Sequence, residues 1–324
     1  MAWRGFPNVV LIILMSLSSI TKTTCSSSSI LYPNFYDQSC PCALPAIKLV
    51  VEDAVQKEPR MAASLLRLHF HDCFVNGCDG SLLLDTTDTI DSEKNSAANR
   101  NSTRGFNVVD DIKREVDTCC GGAVVSCADI LAVAARDSVG AVGGPTWEVQ
   151  LGRRDATTAS KTAADANIPP SFLDLPALID NFKNHGLDEK DLVLLSAAHN
   201  LGFAQCLFFK NRIYNETDID PAFAEHLKSA CPINGGDSNL SPLDPSPASF
   251  DRSYLTNLVQ HRGLLHSDQA LFSGGYTDEL VKIYSIDDMA FRSDFAQSMI
   301  KMGNIQPLTG DEGEIRRDCR KVNH

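Results

Sequence analysis

No apolar stretch in this 324-residue chain is long enough to cross a bilayer: the most extended, residues 9–20, falls short of the ~20 residues that a spanning helix needs. An integral membrane protein is therefore excluded. Basic residues are few, with 29 Lys and Arg against 41 Asp and Glu. That imbalance repels phosphate backbones and anionic lipid surfaces, so neither nucleic acid nor membrane is expected as a partner. Sustained alternation of period two, the mark of half-buried strands, is scarce, and no segment repeats itself. What remains is a largely α-helical chain in one large domain or two intimate halves.

Cysteine, by contrast, is plentiful, at 11 residues. Residues 1–29 read as a secretory leader: Arg4 gives the positive start, the short apolar run follows, and a Thr/Ser-rich segment closes it. Its removal takes Cys25 away and leaves ten cysteines, an even number suited to disulfides in an oxidising compartment. Sequence alone leaves their pairing open. The remaining domain, residues 30–324, has 27 basic residues against 41 acids, a net charge near −14. Sequons at Asn101, Asn215 and Asn239 permit glycosylation.

Apolar residues recur at helical spacing in three places: Ile47, Val50, Val51, Ala54 and Val55; Phe106, Val109, Ile112 and Val116; and Leu192, Leu195 and Ser196 ahead of His199. Each stripe is read as core. Gly, Pro, Ser, Asn and Asp cluster at 86–103, 157–171 and 231–249, where irregular structure is expected.

The chemistry concentrates in fifteen consecutive residues, Arg67-Leu-His-Phe-His-Asp-Cys-Phe-Val-Asn-Gly-Cys-Asp-Gly-Ser81. The run before them, from Met61, is rich in helix formers, so Arg67 and His71, four apart, share a helix face. His69 is rotated roughly 200° from His71, at about 100° per residue, and points elsewhere. A cation beside an imidazole keeps it neutral and able to act as a base. The same arginine can stabilise negative charge that develops as the base works. Asp72, Asp79 and Ser81 offer hard oxygen ligands around Gly77, as in a calcium site, and Cys73 with Cys78 could clamp that loop. A rival reading takes His69, His71 and Asp72 as ligands of a hydrolytic zinc. The divergence of the two histidines opposes it.

With these residues in hand, the chain from about residue 30 onward resembles the secretory plant haem peroxidases, the class III family. The likeness rests on Arg67-Leu-His-Phe-His-Asp-Cys, Val125-Ser-Cys-Ala-Asp129, Gly144-Pro-Thr-Trp147 with Leu151-Gly-Arg-Arg-Asp155, Leu195-Ser-Ala-Ala-His199 and Ser267-Asp-Gln269, all in the family's order. The resemblance implies an all-α fold holding haem b between a distal and a proximal helical half, with four or five disulfides. It implies oxidation of phenolic donors by hydrogen peroxide through a ferryl haem. His199 would be the iron ligand and Asp268 the acceptor of its other nitrogen, which favours high-valent iron. On the opposite face His71 would be acid and base, Arg67 the charge stabiliser, and Asn99 the residue fixing the tautomer of His71. Arg60, Ser64, Ser102 and Gln205 match residues near the haem propionates, and Pro169 a contact for aromatic donors.

The likeness further implies two calcium ions. The distal one would be held by Asp72, Val75, Gly77, Asp79 and Ser81 with Glu93 in the outer shell. The proximal one would be held by Asn200, Asp244, Ser246, Ser249 and Asp251. This second set departs from the family, which usually has threonine directly after the iron ligand and a loop one residue longer, so a weaker site is expected. Asp129 and Arg153 match a structural ion pair. Eight cysteines match the family, implying Cys40–Cys120, Cys73–Cys78, Cys127–Cys319 and Cys206–Cys231. Cys42 and Cys119 are extra, and their proximity to the first bridge suggests a fifth. The chain closes at His324, soon after Cys319, and secretion to the cell-wall space as a monomer is the expectation. The competing non-enzymatic reading is a catalytically silent wall protein stabilised by calcium and disulfides.

Overall fold

The structure, a computed structural model, describes residues 1–3, 5 and 31–324. Most of the expected leader, including Arg4 and Cys25, lies outside the described residues.

The N-terminal half is a packed group of four helices, α1 (Ala43–Lys57), α2 (Met61–Cys73), α3 (Phe106–Cys120) and α4 (Cys127–Ala141). Ile47, Val51 and Val55 of the first stripe are buried, and Val109, Ile112 and Val116 of the second. Helix α4 is apolar on nearly all sides, as a helix surrounded by others must be, and α1, α2 and α3 all pack on it. Its start is fixed by Ser126, whose hydroxyl accepts from the Asp129 amide at 3.1 Å.

The rest of the chain supplies α5 (Lys161–Asn167), α6 (Leu175–Asn184), α7 (Glu189–Ser196), α8 (Lys210–Asn215), α9 (Pro221–Ala230), α10 (Ser253–Val259), α11 (His266–Ala270), α12 (Thr277–Ile286) and α13 (Asp288–Gly303). Helix α7 packs on α6, α12 and α13, and α10 packs on α12 and on the turn that carries His199. Helix α13 touches both α7 and α2, joining the two halves. Strand content among the described residues is slight: β1 (Phe203–Gln205) pairs antiparallel with β2 (Leu240–Pro242), with Ala204 opposite Ser241.

The irregular segments need correction in two places. Helix α5 lies inside 157–171, because the Ser160 hydroxyl caps the Ala163 amide ahead of an alanine-bearing run that the turn-forming composition concealed. Strand β2 lies inside 231–249.

Five cysteine pairs lie at bonding distance: Cys40–Cys120, Cys42–Cys119, Cys73–Cys78, Cys127–Cys319 and Cys206–Cys231. The Asp129 carboxylate, fully buried, accepts from the Tyr36 hydroxyl and the Gly152 amide, both at 2.7 Å, and from Arg153 Nη1 at 2.8 Å. Arg153 in turn donates Nε and Nη2 to the carbonyl of Gly303 at the end of α13, at 3.1 and 2.6 Å. Replacing Asp129 by Ala strands a buried guanidinium, so we expect D129A to lose about 3–5 kcal/mol of stability, measured by denaturant unfolding.

Candidate active site

Arg67 and His71 sit one turn apart on α2, and Arg67 Nε donates to His71 Nε2 at 3.1 Å. The remaining guanidinium nitrogens anchor the 86–103 segment: Nη2 donates to the Ala98 carbonyl at 2.9 Å and the Ser102 hydroxyl at 3.1 Å, and Nη1 to the Ser102 carbonyl at 3.3 Å. His71 Nδ1 meets Asn99 Oδ1 at 2.5 Å. The Asn99 amide nitrogen donates to the Glu93 carbonyl at 2.9 Å, which leaves its oxygen for the ring. This network assigns the proton to Nδ1 and the lone pair to Nε2, where it accepts from Arg67. Burial and then the Arg67 charge hold His71 well below the ordinary histidine value, so it is neutral at ordinary pH. Burial also brings Arg67 down to about 10, which leaves it charged.

The second half of the site comes from the turn after α7. His199 Nδ1 lies 2.8 Å from Asp268 Oδ1, and the carboxylate also accepts from the Tyr254 hydroxyl and the Leu265 amide, both at 3.1 Å. Asp268 is buried, whereas the His199 side chain is 40% exposed. Among the described residues nothing hydrogen-bonds its Nε2. An imidazole held rigidly by a carboxylate, with its other nitrogen bare, has the donor chemistry of an iron ligand. His71 lies near enough to His199 for a charge on one to oppose a charge on the other.

Arg60 and Ser64 open α2, and the Arg60 guanidinium lies over the Phe203 ring, 5.4 Å from its centre. Gln205 lies two residues further along the same strand as Phe203. Ser102 instead engages Arg67 and the Ala98 carbonyl, 2.8 Å away. Pro169 is half-buried, between α5 and α6.

The distal loop gathers buried carboxylates and hydroxyl oxygens around one point. Asp72 takes the Gly80 amide at 3.0 Å, Asp79 the Ser81 amide at 2.9 Å, and Glu93 the Ser160 amide at 3.2 Å, yet Ser81 Oγ and Glu93 Oε2 are buried without a partner. Burial pushes Asp79 up to about 6 and Glu93 up to about 8, and burial with the neighbouring Asp79 pushes Asp72 well up. A bound cation would supply the charge this cluster lacks. Val75 and Gly77 lie in the same loop. Gly77 has φ +109°, and a Cβ there would strike the Gln306 carbonyl oxygen at 2.3 Å.

On the proximal side, Ser246 Oγ bridges Asp244 and Asp251 at 3.0 and 2.6 Å, and Asn200 Nδ2 donates to the Asp251 carbonyl at 2.9 Å. Asn200 Oδ1 is buried and unpartnered, and burial pushes Asp244 up to about 6. Ser249 is exposed. The residues present fit a cation here too.

The zinc reading fails on geometry. His71 is committed to Arg67 and Asn99, while His69 lies against Cys73, 3.6 Å from its sulfur, and burial brings it down to about 3. Sequence reasoning missed Tyr254, which announces itself by nothing but a hydroxyl on a helix, and the exposed aromatics Phe172 and Phe208. Those two segments are linked by the Ser171 hydroxyl, which donates to the Phe208 carbonyl at 3.3 Å.

A helical fold that sets an Arg–His–Asn relay opposite a carboxylate-held histidine defines a haem-peroxidase type of enzyme. The family model described as Peroxidase matches residues 47–287. Peroxidase RIP1 of Medicago truncatula is 56% identical over 98% of this chain and 98% of its own length. Peroxidase P7 of Brassica rapa subsp. rapa is 56% identical over 90% and 99%, and a lignin-forming anionic peroxidase of Nicotiana sylvestris 56% over 89% and 90%. The chain belongs to the peroxidase family, in its class III plant branch. It is an enzyme that oxidises donors with hydrogen peroxide.

Beside the site, His266 at the head of α11 bridges Glu216 and Asp174, each at 2.9 Å, and the next amide, Ser267, donates to the Ser171 carbonyl at 2.9 Å. Burial draws the imidazole down, but the two carboxylates outweigh it and His266 titrates above its ordinary value. A raised folded pKa gives stability that is full below the unfolded value of about 6.5 and lost as pH rises through the folded one. The difference in thermal midpoint between the wild type and H266L is therefore expected to be largest near pH 5 and to shrink above neutrality.

Proposed function

We propose that residues 30–324 form a secreted, monomeric peroxidase domain that binds haem b between His71 and His199 and oxidises small phenols in the cell-wall space. The observation that carries the reading is the neutral His71, its Nδ1 tied to Asn99 and its Nε2 facing Arg67, opposed to the Asp268-held His199. When bound, haem supplies the redox chemistry that neither histidine has. His71 Nε2 takes a proton from one peroxide oxygen and returns it to the other as water leaves. Arg67 stabilises the negative charge that develops between those events. Asp268 holds the Nδ1 proton of His199 and so leaves Nε2 as the atom that would hold the haem iron. Arg60, Ser64 and Gln205 are assigned to the cofactor's acidic edge, with Ser102 acting there through Arg67.

Donors meet a different part of the surface. Phe172, three residues after Pro169, is 73% exposed and Phe208, whose carbonyl accepts from Ser171, 38%. Flat exposed rings suit stacking with phenols. No described helix is long and apolar enough to cross a membrane.

Loss of the base is the direct test. H71L should retain haem through His199 but react with peroxide about 10²–10⁴-fold more slowly, and R67L should be impaired less, both followed by stopped-flow haem absorption. Near-normal rates in H71L would remove His71 from its role.

Calcium is proposed at both loops, through Asp72, Val75, Gly77, Asp79 and Ser81 with Glu93 behind, and through Asn200, Asp244, Ser246, Ser249 and Asp251. Asn200 contributes an amide oxygen on a longer arm, so the proximal ion should leave first in a chelator titration. Because Asn200 follows His199 directly, the haem spectrum should change with that first loss. Simultaneous release of two ions would contradict the asymmetry.

A further inference from the structure

Cys42 and Cys119, the two cysteines beyond the family's eight, do more than add a bridge. The sulfurs of Cys40, Cys42, Cys119 and Cys120 all lie within 4.8 Å of one another. The sulfur of Cys42 is 3.6 Å from that of Cys40, although the two belong to different pairs. Access is graded: Cys119 is exposed, Cys42 and Cys120 are half-buried, and Cys40 is only 2% exposed. Beyond Cys120, Gly121 and Gly122 have nothing within 4 Å of where a side chain would start, so the approach to Cys119 is open.

We infer that these four cysteines form a thiol–disulfide exchange centre, entered by a small dithiol at Cys119 and passing the break inward to Cys40–Cys120. A dithiol thiolate attacks the Cys119 sulfur, forming a mixed disulfide and expelling Cys42 as thiolate. Cys42 is the favoured leaving group because it sits at the N-cap of α1, a fifteen-residue helix whose dipole stabilises a thiolate at that end. A lower leaving-group pKa speeds exchange. The Cys42 thiolate then attacks Cys40, forming Cys40–Cys42 and expelling Cys120 as thiolate. The reductant's second thiolate closes on its own mixed-disulfide sulfur and releases Cys119. Two electrons pass from the dithiol, which becomes a cyclic disulfide. The protein keeps one bond, Cys40–Cys42, and gains thiols at Cys119 and Cys120.

This outcome uncouples the start of α1 from the end of α3, where two bridges had joined them. The segment before α1 stays docked, because Tyr32 and Leu151 exchange backbone hydrogen bonds at 3.1 and 3.2 Å and Tyr36 donates to Asp129. None of the four cysteines hydrogen-bonds a residue of the active site, so the holoenzyme should persist through the exchange.

The test uses the folded holoenzyme, brief exposure to dithiothreitol, alkylation at low pH and peptide mapping. We expect two labels, on Cys119 and Cys120, with Cys40–Cys42 recovered as a linked peptide and the haem spectrum unchanged. Labels on Cys42 and Cys119 would show that the break is not passed inward, and first labelling at any other pair, or none without denaturant, would overturn the entry point. The double variant C42S/C119S, checked for folding by its haem spectrum, should leave Cys40–Cys120 unlabelled under the same exposure. Its reduction at the wild-type rate would equally overturn the proposal.

Discussion

The structure turns on one buried ion pair. Asp129 at the head of α4 and Arg153 in the following loop are both removed from water, and each satisfies its remaining hydrogen-bonding capacity on a different segment. Asp129 reaches the N-terminal segment through Tyr36, and Arg153 reaches the end of α13 through Gly303. Since α13 also touches α2 and α7, the helix bearing His71 and the helix leading to His199 are referred to one fixed point. A looser apolar contact would hold these elements together without fixing their rotation, and rotation decides which face of α2 meets the site. Position 303 is constrained accordingly: a Cβ there would stand 3.3 Å from the Arg153 guanidinium and 3.4 Å from the His69 ring.

Each site histidine is followed directly by a residue that meets a carboxylate-rich loop: Asp72 after His71, and Asn200, which donates to the Asp251 carbonyl, after His199. In both loops burial makes the carboxylates costly to ionise, and in both a buried oxygen is left without a partner. A chain with an excess of acids thus concentrates some of them where a divalent cation would offset their repulsion. A cation held there would fix the loop and, through it, the neighbouring imidazole.

What could be read in the sequence was local. The four-residue spacing of Arg67 and His71 specifies a shared helix face, and the two-residue offset of His69 specifies its divergence, because helix geometry needs no tertiary knowledge. Asn99 is another matter. It lies in a turn-rich segment, and only the Arg67 anchor to Ala98 and Ser102 brings it to His71, so the residue resemblance pointed to it while its spacing could not. Tyr254 meets Asp268 from a different helix and left no local trace, whereas the resemblance had pointed to Asp268 through its Ser-Asp-Gln motif. Helix α5 was hidden for the opposite reason: Ser, Asn, Asp and Pro around it favour turns, yet the same Ser160 that signals a turn also caps a helix. Cysteine pairing was likewise beyond spacing, since bridges such as Cys127–Cys319 join residues 192 apart.

The relay and the donor surface obey different physics, which bears on specificity. Peroxide is small and neutral, and its fate rests on groups held within hydrogen-bond reach and shielded from water, a geometry that tolerates little change. Phenols are also uncharged at neutral pH, so the chain's net negative field steers neither substrate. On the proposed donor surface, discrimination among donors would come from contact with exposed rings such as Phe172 and Phe208 and from the loops that carry them. Those loops are linked at the surface by the Ser171 to Phe208 and Ser267 to Ser171 hydrogen bonds and by the His266 pair with Asp174. Sequence change can accumulate there without disturbing Arg67, His71 or His199, so the fold can keep one peroxide chemistry while altering which donor it serves.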